Sequence, residues 1–415
     1  MRILAGRRAE MMVRKLEQRG PAGLARVEKQ VQRIVDDVRK NGDKALRRYA
    51  QKWDGLGQRD SLKVSQPELQ QAWKSVSKGF REALQTAADN IRRYCERQKP
   101  QEWRVSTQPG IQVGQLIRPL QSAGCYVPGG RYPLPSTMLM TVIPAQVAGV
   151  QEIRVVSPRP AKETLAAAFF LGVRAFYRAG GAQAIAALAY GTKSVPRVDK
   201  IAGPGNLFVT AAKKMVAFDC AIDFLAGPTE VVIVSHQGDS RCIAADLVAQ
   251  AEHNPQAVPV FITTSKALAA AVSREIKNAV TGNTIARASL AANGAILLAT
   301  SRQETMDFAN RIAPEHITVE ESDLPDVRNA GSVFVGDYSP QAAGDYAVGP
   351  NHVLPTGGAA RFRGGLSVMD FLKVISLQQL SRDGLKQIAP AVVTLAEAEG
   401  LKAHAESIRV RCAHA

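Results

Sequence analysis

Glu152-Ile-Arg-Val-Val-Ser157 is a short β-branched run. It is followed by a helical stretch over 161–173, a second strand Ala175–Arg178, a helix over 181–190, the strand Lys200-Ile-Ala202 and a helix over 206–218. Short apolar strands alternating with Ala-rich helices mark βαβ units and a parallel sheet. Outward from this block the pattern recurs, with strands near 229–235, 258–263, 295–299, 316–320 and 332–336 and helices at 240–252, 265–279 and 302–311. Two such series predict two α/β lobes, the first inserted into the second.

On the N-terminal side, 21–98 reads as two long amphipathic helices separated by Asp54-Gly-Leu-Gly57, and 111–120 as a strand. The last segment, 367–410, carries helical patterning interrupted at Pro390 and reads as a tail packed elsewhere. The expected boundaries are an N-terminal arm over 1–21, a main α/β domain over 22–125 and 231–366, an inserted α/β domain over 126–230, and a C-terminal tail over 367–415.

With 415 residues, 46% of them hydrophobic, the chain can bury two or three cores. It has no run of 18 uncharged apolar residues outside short Ala-rich helices, and its first residues lack a secretory apolar segment, so a soluble cytoplasmic enzyme without membrane attachment is expected. Cys95, Cys125, Cys220, Cys242 and Cys412 are dispersed without C-x-x-C spacing, which fits reduced thiols. Cys125 beside Tyr126 invites a nucleophile reading, but its sequence neighbours supply no His or Lys to lower its pKa, and a buried structural cysteine is favoured. The net charge is +16, and the first fifty residues hold 14 Lys/Arg against 6 Asp/Glu. Those cations alternate with Leu24, Val27, Val31, Ile34, Val35 and Val38 at helical spacing, the pattern of a solvated face above a packed stripe. No aromatic residues interleave with them, so nucleic acid is not an expected partner, whereas an anionic cofactor is compatible.

The chemistry concentrates late in the chain. Gln250-Ala-Glu-His253 closes a helix capped by Asp239-Ser240 and stopped by Asn254-Pro255; Gln250 and His253, three apart, share a face. Glu252 points away from it. Glu315-His316 lies where a helix ends and a strand begins, and offers a carboxylate for water activation beside an imidazole for proton abstraction. Gly344-Asp345 and Gly349-Pro-Asn-His352 form a Gly-rich loop with a hard oxygen donor, and Glu399 is followed by His404. Neutral imidazole and carboxylate oxygen together suit zinc. Four of the six histidines fall in this set; His236 and His414 read as solvated.

Cofactor signals are separate. Tyr126-Val-Pro-Gly-Gly130, Gly180-Gly-Ala-Gln183 and Gly203-Pro-Gly-Asn206 each join a strand to a helix, where backbone N–H groups receive phosphates. None completes G-x-G-x-x-G and there is no Walker loop, so a nucleotide is plausible outside the standard Rossmann manner.

Taken together these strings resemble the histidinol dehydrogenase family over about residues 22–411, carried by 126–150, 180–206, 226–230, 250–253, 313–316 and 329–356. The resemblance implies two lobes with incomplete Rossmann-like parallel sheets of the aldehyde-dehydrogenase-like kind, a helical N-terminal segment, and a tail exchanged in a homodimer. It implies Zn2+ and NAD, and a two-step oxidation of L-histidinol to L-histidine in histidine biosynthesis. The zinc ligands would fall on Gln250, His253, Asp345 and His404, which also face the substrate, and the acid/base pair on Glu315 and His316. Further substrate contacts would fall on Thr229, His316, His352 and Glu399, and NAD contacts on Tyr126, Gln183 and Asn206. Thr229 stands where serine is usual, and Arg131 lies in a segment, 127–141, that differs from the commoner version and would bring positive charge near the substrate or pyrophosphate. These departures leave room for a related zinc dehydrogenase acting on another polar alcohol, such as a sulfonated propanediol.

Overall fold

The computed structural model describes residues 1–20, 23–129 and 133–413. Arg131 and His414 lie outside the described residues.

The chain opens on strand β1 (Arg2–Ala5) and helix α1 (Arg7–Glu17), followed by helices α2 (Leu24–Trp53), α3 (Gln66–Ser75) and α4 (Lys78–Gln98). The expected second long helix is therefore two. Ser65 caps α3 in a reciprocal capping box with Glu68, and Ser77 restarts the chain as α4 by accepting the Phe80 N–H. Helix α2 kinks at Gly42, whose φ of 52° leaves the helical region.

Strands β2 (Trp103–Gln108) and β3 (Ile111–Pro119) form a hairpin that leads into the first parallel sheet. That sheet holds β4 (Ser122–Tyr126), β5 (Glu152–Val156), β6 (Ala175–Tyr177), β7 (Lys200–Ala202) and β8 (Ala221–Ile222). Their order is β6-β5-β4-β7-β8. Helices α5 (Pro135–Ala148), α6 (Lys162–Phe170), α7 (Gly181–Tyr190) and α8 (Leu207–Val216) connect them. Helix α5 is apolar on every side and almost wholly buried, as a helix clamped between layers must be. The apolar stripe of α2 buries against α7 and α8. The helices of 24–98, grouped with the main body in the sequence reading, thus pack on this five-stranded sheet.

The second parallel sheet uses β9 (Glu230–Val234), β10 (Val258–Thr263), β11 (Ala295–Leu298), β12 (His316–Val319) and β13 (Ser332–Val335), with α9 (Ser240–Ala251), α10 (Lys266–Ala279), α11 (Thr284–Ala292), α12 (Arg302–Ile312) and α13 (Gln341–Tyr346) between or beside them. Its order is β1-β11-β10-β9-β12-β13. The Glu-Val-Val-Ile-Val run of β9 is buried throughout, as expected of a central parallel strand covered on both faces. Residues 2–5, read as part of an arm, are its edge strand, with Leu4 opposite Leu297.

The tail differs most from its sequence reading. Residues Leu372–Leu380 are not helical but form strand β14, antiparallel to β3. Pro390 does not interrupt the following helix α14 (Arg382–Ala398), which runs through it before α15 (Lys402–Ala413). Helices α14 and α15 pack mainly on each other. Among the described residues no helix is long and apolar enough to cross a membrane.

Candidate active site

In the five-stranded sheet the chain winds outward from β4 through β5 to β6, then returns to the other side of β4 with β7. Open α/β sheets bind ligands at such a reversal, outside the carboxyl ends of the strands. A cavity of about 400 Å³ lies there, lined by Tyr126, Gly181, Gln183, Asn206, Asp54 and Arg159. All three expected NAD contacts thus meet in one cavity. The Tyr126 hydroxyl accepts the Gly181 N–H at 3.1 Å, and the Asn206 side chain caps α8 through the N–H groups of Phe208 and Val209. Helix α7 has no side-chain cap from its own N-cap residue, Gly180. The turn after β7 is fixed from below. Asp223 accepts the Gly203 N–H at 2.8 Å, Lys213 donates to the Gly203 carbonyl at 3.0 Å, and the two side chains pair with each other in full burial. A Cβ at Gly203 would sit 2.1 Å from the Tyr126 carbonyl oxygen, so no other residue fits.

Asp54 was read only as a helix break. It is buried, its Oδ2 accepts from the Gly180 N–H at 2.9 Å and from Gln183 Nε2 at 3.0 Å, and burial holds its pKa above the ordinary value. It orients the Gln183 amide. Cys125 is fully buried, and burial pushes its thiol up to about 12, which settles it as structural.

The expected acid/base residues lie on the other lobe. His316 is the first residue of β12 and Thr229 directly precedes β9, so the pair sits at the amino ends of the six-stranded sheet and not at the carboxyl ends where α/β proteins favour ligands. The two edges face each other. Thr137, in the first turn of α5, lies with Oγ1 3.2 Å from His352 Nε2, and Asn351 donates to the Met140 carbonyl at 2.6 Å. The amino edge of one sheet therefore meets the carboxyl edge of the other across a cleft.

Within that cleft a relay runs Gln250 Nε2 to Thr229 Oγ1 to Glu315 Oε2, each hydroxyl or amide donating to the next, and the Glu230 N–H also donates to Glu315 at 2.9 Å. Gln250 thereby spends its amide nitrogen and keeps Oε1 as a free donor atom. Burial pushes the Glu315 carboxyl up to about 7, against the opposing charge of His316. His316 is subject to the same burial, which lowers it, but the Glu315 and Asp345 carboxylates more than offset that and raise it to about 9. Its Nδ1 lies 3.1 Å from the Glu230 carbonyl oxygen, so Nδ1–H is the donor of the neutral ring and Nε2 carries the free lone pair. Nε2 stands 3.7 Å from Asp345 Oδ1. Burial would raise Asp345, yet the neighbouring His316, His352 and His253 bring it below the ordinary carboxylate value. A cavity of about 310 Å³ opens here, lined by His316, Gly344, Asp345, Asn351, His352 and Tyr338. His352 Nδ1 lies 2.7 Å from the Asp345 carbonyl, and burial lowers its pKa.

Glu230 was missed in the sequence because its partner is distant. Arg19, 211 positions away, grips it through Nε and Nη2 at 2.6 and 2.5 Å, and the Gly357 N–H adds a third bond at 3.0 Å.

Of the expected set, the fold gathers Thr229, Gln250, Glu315, His316, Asp345 and His352, with His253 near enough for its charge to act on Asp345. It does not gather Glu399 and His404, which lie exposed on the α14–α15 hairpin. Among the described residues no three His, Cys, Asp or Glu side chains are grouped to hold a metal ion. The reason is that the fourth expected donor stands on the tail, away from the other three. Glu252 does point away, accepting from Asn283 at 3.0 Å. His236 is not solvated; its side chain is only 11% exposed, with Nδ1 2.9 Å from the Thr264 hydroxyl.

Oxidation of an alcohol removes a hydride from carbon and a proton from oxygen, and a crevice at the reversal of one sheet facing an imidazole across the cleft suits that pair of demands. The fold and site are those of a two-lobed α/β oxidoreductase. The chain belongs to the histidinol dehydrogenase family, whose profile matches residues 17–412. It is 46% identical to the histidinol dehydrogenase of Methanosarcina mazei, over 97% of this chain and 96% of that one. It is 47% identical to the enzyme of Methanothermobacter thermautotrophicus, over 91% and 92%. The crystal structure of histidinol dehydrogenase from Elizabethkingia anophelis superposes with a TM-score of 0.94 at 34% identity, covering 99% of this chain and 98% of that one.

Proposed function

We propose that the protein oxidises L-histidinol to L-histidine in two NAD-linked steps through the aldehyde, as a zinc enzyme whose sites are completed in a homodimer. The observation that carries the chemistry is His316, with Nδ1–H tied to the Glu230 carbonyl and Nε2 facing the cavity beside Asp345. The donor set fits a divalent ion in part: Gln250 Oε1, His253 and Asp345 come from one chain, and His404 of a second copy would complete it. Bound zinc would supply positive charge to the amine and imidazole of the substrate, and bound NAD would take the hydride.

His316 Nε2 accepts the hydroxyl proton as the carbinol is oxidised to the aldehyde. A cation held by Asp345 would weaken one of the two carboxylate influences, the other being that of Glu315, that keep a proton on His316. Glu315, with a pKa near neutrality, then takes a proton from water as that water adds to the aldehyde carbon. The second oxidation, of the hydrate, returns the base role to the same pair and leaves the carboxylate.

The exchange of tails is supported by apolar surface. Trp103 and Val105 on β2, Val374 and Ile375 on β14, and Leu395 and Leu401 on the tail are all exposed in the single chain. Apolar exposure of this extent is a feature of interfaces. Two copies burying these faces would bring Glu399 and His404 to a partner's cleft. The reading on another polar alcohol gains nothing from the family match. The test is to supply zinc-loaded protein and NAD with L-histidinol and measure two NADH per substrate; silence with histidinol alongside turnover of another alcohol overturns the proposal.

A further inference from the structure

A cavity with a charged lining lies at the amino edge of the five-stranded sheet, the edge away from Tyr126 and Asn206. It measures about 620 Å³ and is lined by Lys63, Arg154, Arg174 and Tyr177, with Glu152 and Gln146. Arg154 is the unusual member. It occupies the interior of a parallel strand where an aliphatic residue is the rule, and it is only 9% exposed. Its Nη2 is paired with Glu152, itself half exposed, while its Nη1 is buried with no hydrogen-bond partner. An unsatisfied donor on a buried cation is among the less tolerable defects of a folded chain, and calls for a water or a ligand.

The surroundings select the ligand. Lys63, Arg154 and Arg174 face a single carboxylate, so the cavity carries an excess of two positive charges. Lys63 pairs by backbone with Tyr177, which brings the loop before α3 onto the cavity rim. The Tyr177 phenol is buried and close enough to Arg154 for that charge to act on it. A planar guanidinium with a free edge, two mobile cations and a hydroxyl donor are the recurring elements of oxyanion recognition. The volume exceeds what a bare ion fills and falls in the range of sites for small organic ligands.

We propose that this cavity is a second ligand site, distinct from the catalytic cleft, for a small molecule bearing a doubly charged phosphate group, whose oxygens are taken by Arg154 Nη1, Lys63 and Arg174. The site lies at the amino ends of β5 and β6, whose carboxyl ends lead to the cavity lined by Tyr126.

The probe is inorganic phosphate, titrated calorimetrically into the intact zinc-loaded protein against chloride at matched ionic strength. Wild type should bind saturably. The double variant Lys63→Ala/Arg174→Ala changes only exposed side chains and should weaken binding by about tenfold or more. Arg154→Met should do the same, with circular dichroism verifying its fold. With NAD saturating the other cavity, phosphate affinity should be unchanged. Heats indistinguishable from chloride, binding undiminished in Lys63→Ala/Arg174→Ala, or loss of phosphate binding under saturating NAD would each overturn the proposal.

Discussion

His352 Nε2 lies 3.2 Å from the Thr137 hydroxyl, while its Nδ1 lies 2.7 Å from the Asp345 carbonyl. One imidazole thereby joins the first turn of α5 on one lobe to the loop that carries Asp345 on the other. With Nδ1–H donating to the carbonyl, Nε2 accepts the threonine proton, an arrangement only the neutral ring allows, and the lowered pKa keeps it neutral. The two lobes are registered through a side chain that also lines the substrate cavity.

Glu315→Gln keeps the volume of the carboxyl and removes its basicity. Oxidation of L-histidinol to the aldehyde should continue, whereas oxidation of supplied aldehyde should fall by about a hundredfold or more. Stopped-flow NADH traces on each substrate separate the two; equal losses in both halves would contradict the water-activating role.

Thr229 links Gln250 to Glu315 through one hydroxyl. Thr229→Ser should retain turnover within a few fold, while Thr229→Val leaves the Gln250 amide unpaired, removes one donor from Glu315 and should cost about 1–3 kcal/mol of stability along with zinc retention. Elemental analysis after dialysis and urea unfolding provide the readouts, and full zinc content in the valine variant would argue against the relay.

Arg19 and Glu230 have side chains 13% and 3% exposed. Arg19→Met strands a buried carboxylate beneath the Glu315–His316 pair, and the unfolding free energy should drop by about 3 kcal/mol. A urea midpoint equal to wild type would show that the bridge is idle.

Burial pushes the Asp246 carboxyl up to about 6. Between about pH 4 and pH 6 the folded chain therefore keeps a proton that the unfolded chain has lost, so stability declines as pH rises through this window and the penalty is complete above it. Asp246→Asn should raise the thermal midpoint at pH 8 and leave it unchanged near pH 4; because the group is only half-buried, the gain should be on the order of 1 kcal/mol. An identical shift at both pH values would mean the effect is not ionic.

Mixing tests the tail exchange. His404→Ala and Glu315→Gln should each form almost no L-histidine alone, but co-refolded chains should recover about a quarter of the wild-type rate of L-histidine formation, since half the dimers would be hybrids with one intact site. No recovery, with hybrids verified by mass spectrometry, would place His404 on its own body.

Much of the fold was legible because parallel strands covered on both faces need unbroken aliphatic runs, and β9, β10 and β12 declare themselves that way. The tail was not: Leu372–Leu380 pairs with β3 far upstream, and no local periodicity distinguishes it from a helix. The same distance hid the Arg19–Glu230 bridge and the grip of Asp54 on Gln183, since a lone arginine and a helix-ending aspartate carry no local sign of a partner. Glu315, His316 and the Gly-rich turns were readable because their chemistry is compressed into dipeptides and short loops. That their edge faces the other lobe was not, because it depends on how the two lobes pack.

Strand β1 closes the ladder of β11 and is itself the outermost strand of the larger sheet. Trimming the first six residues would bare β11 as a template for intermolecular pairing, so shortened versions should clump even with every catalytic group in place. Purification handles fused directly to Met1 would strain the same seam and are better separated from it by a flexible spacer.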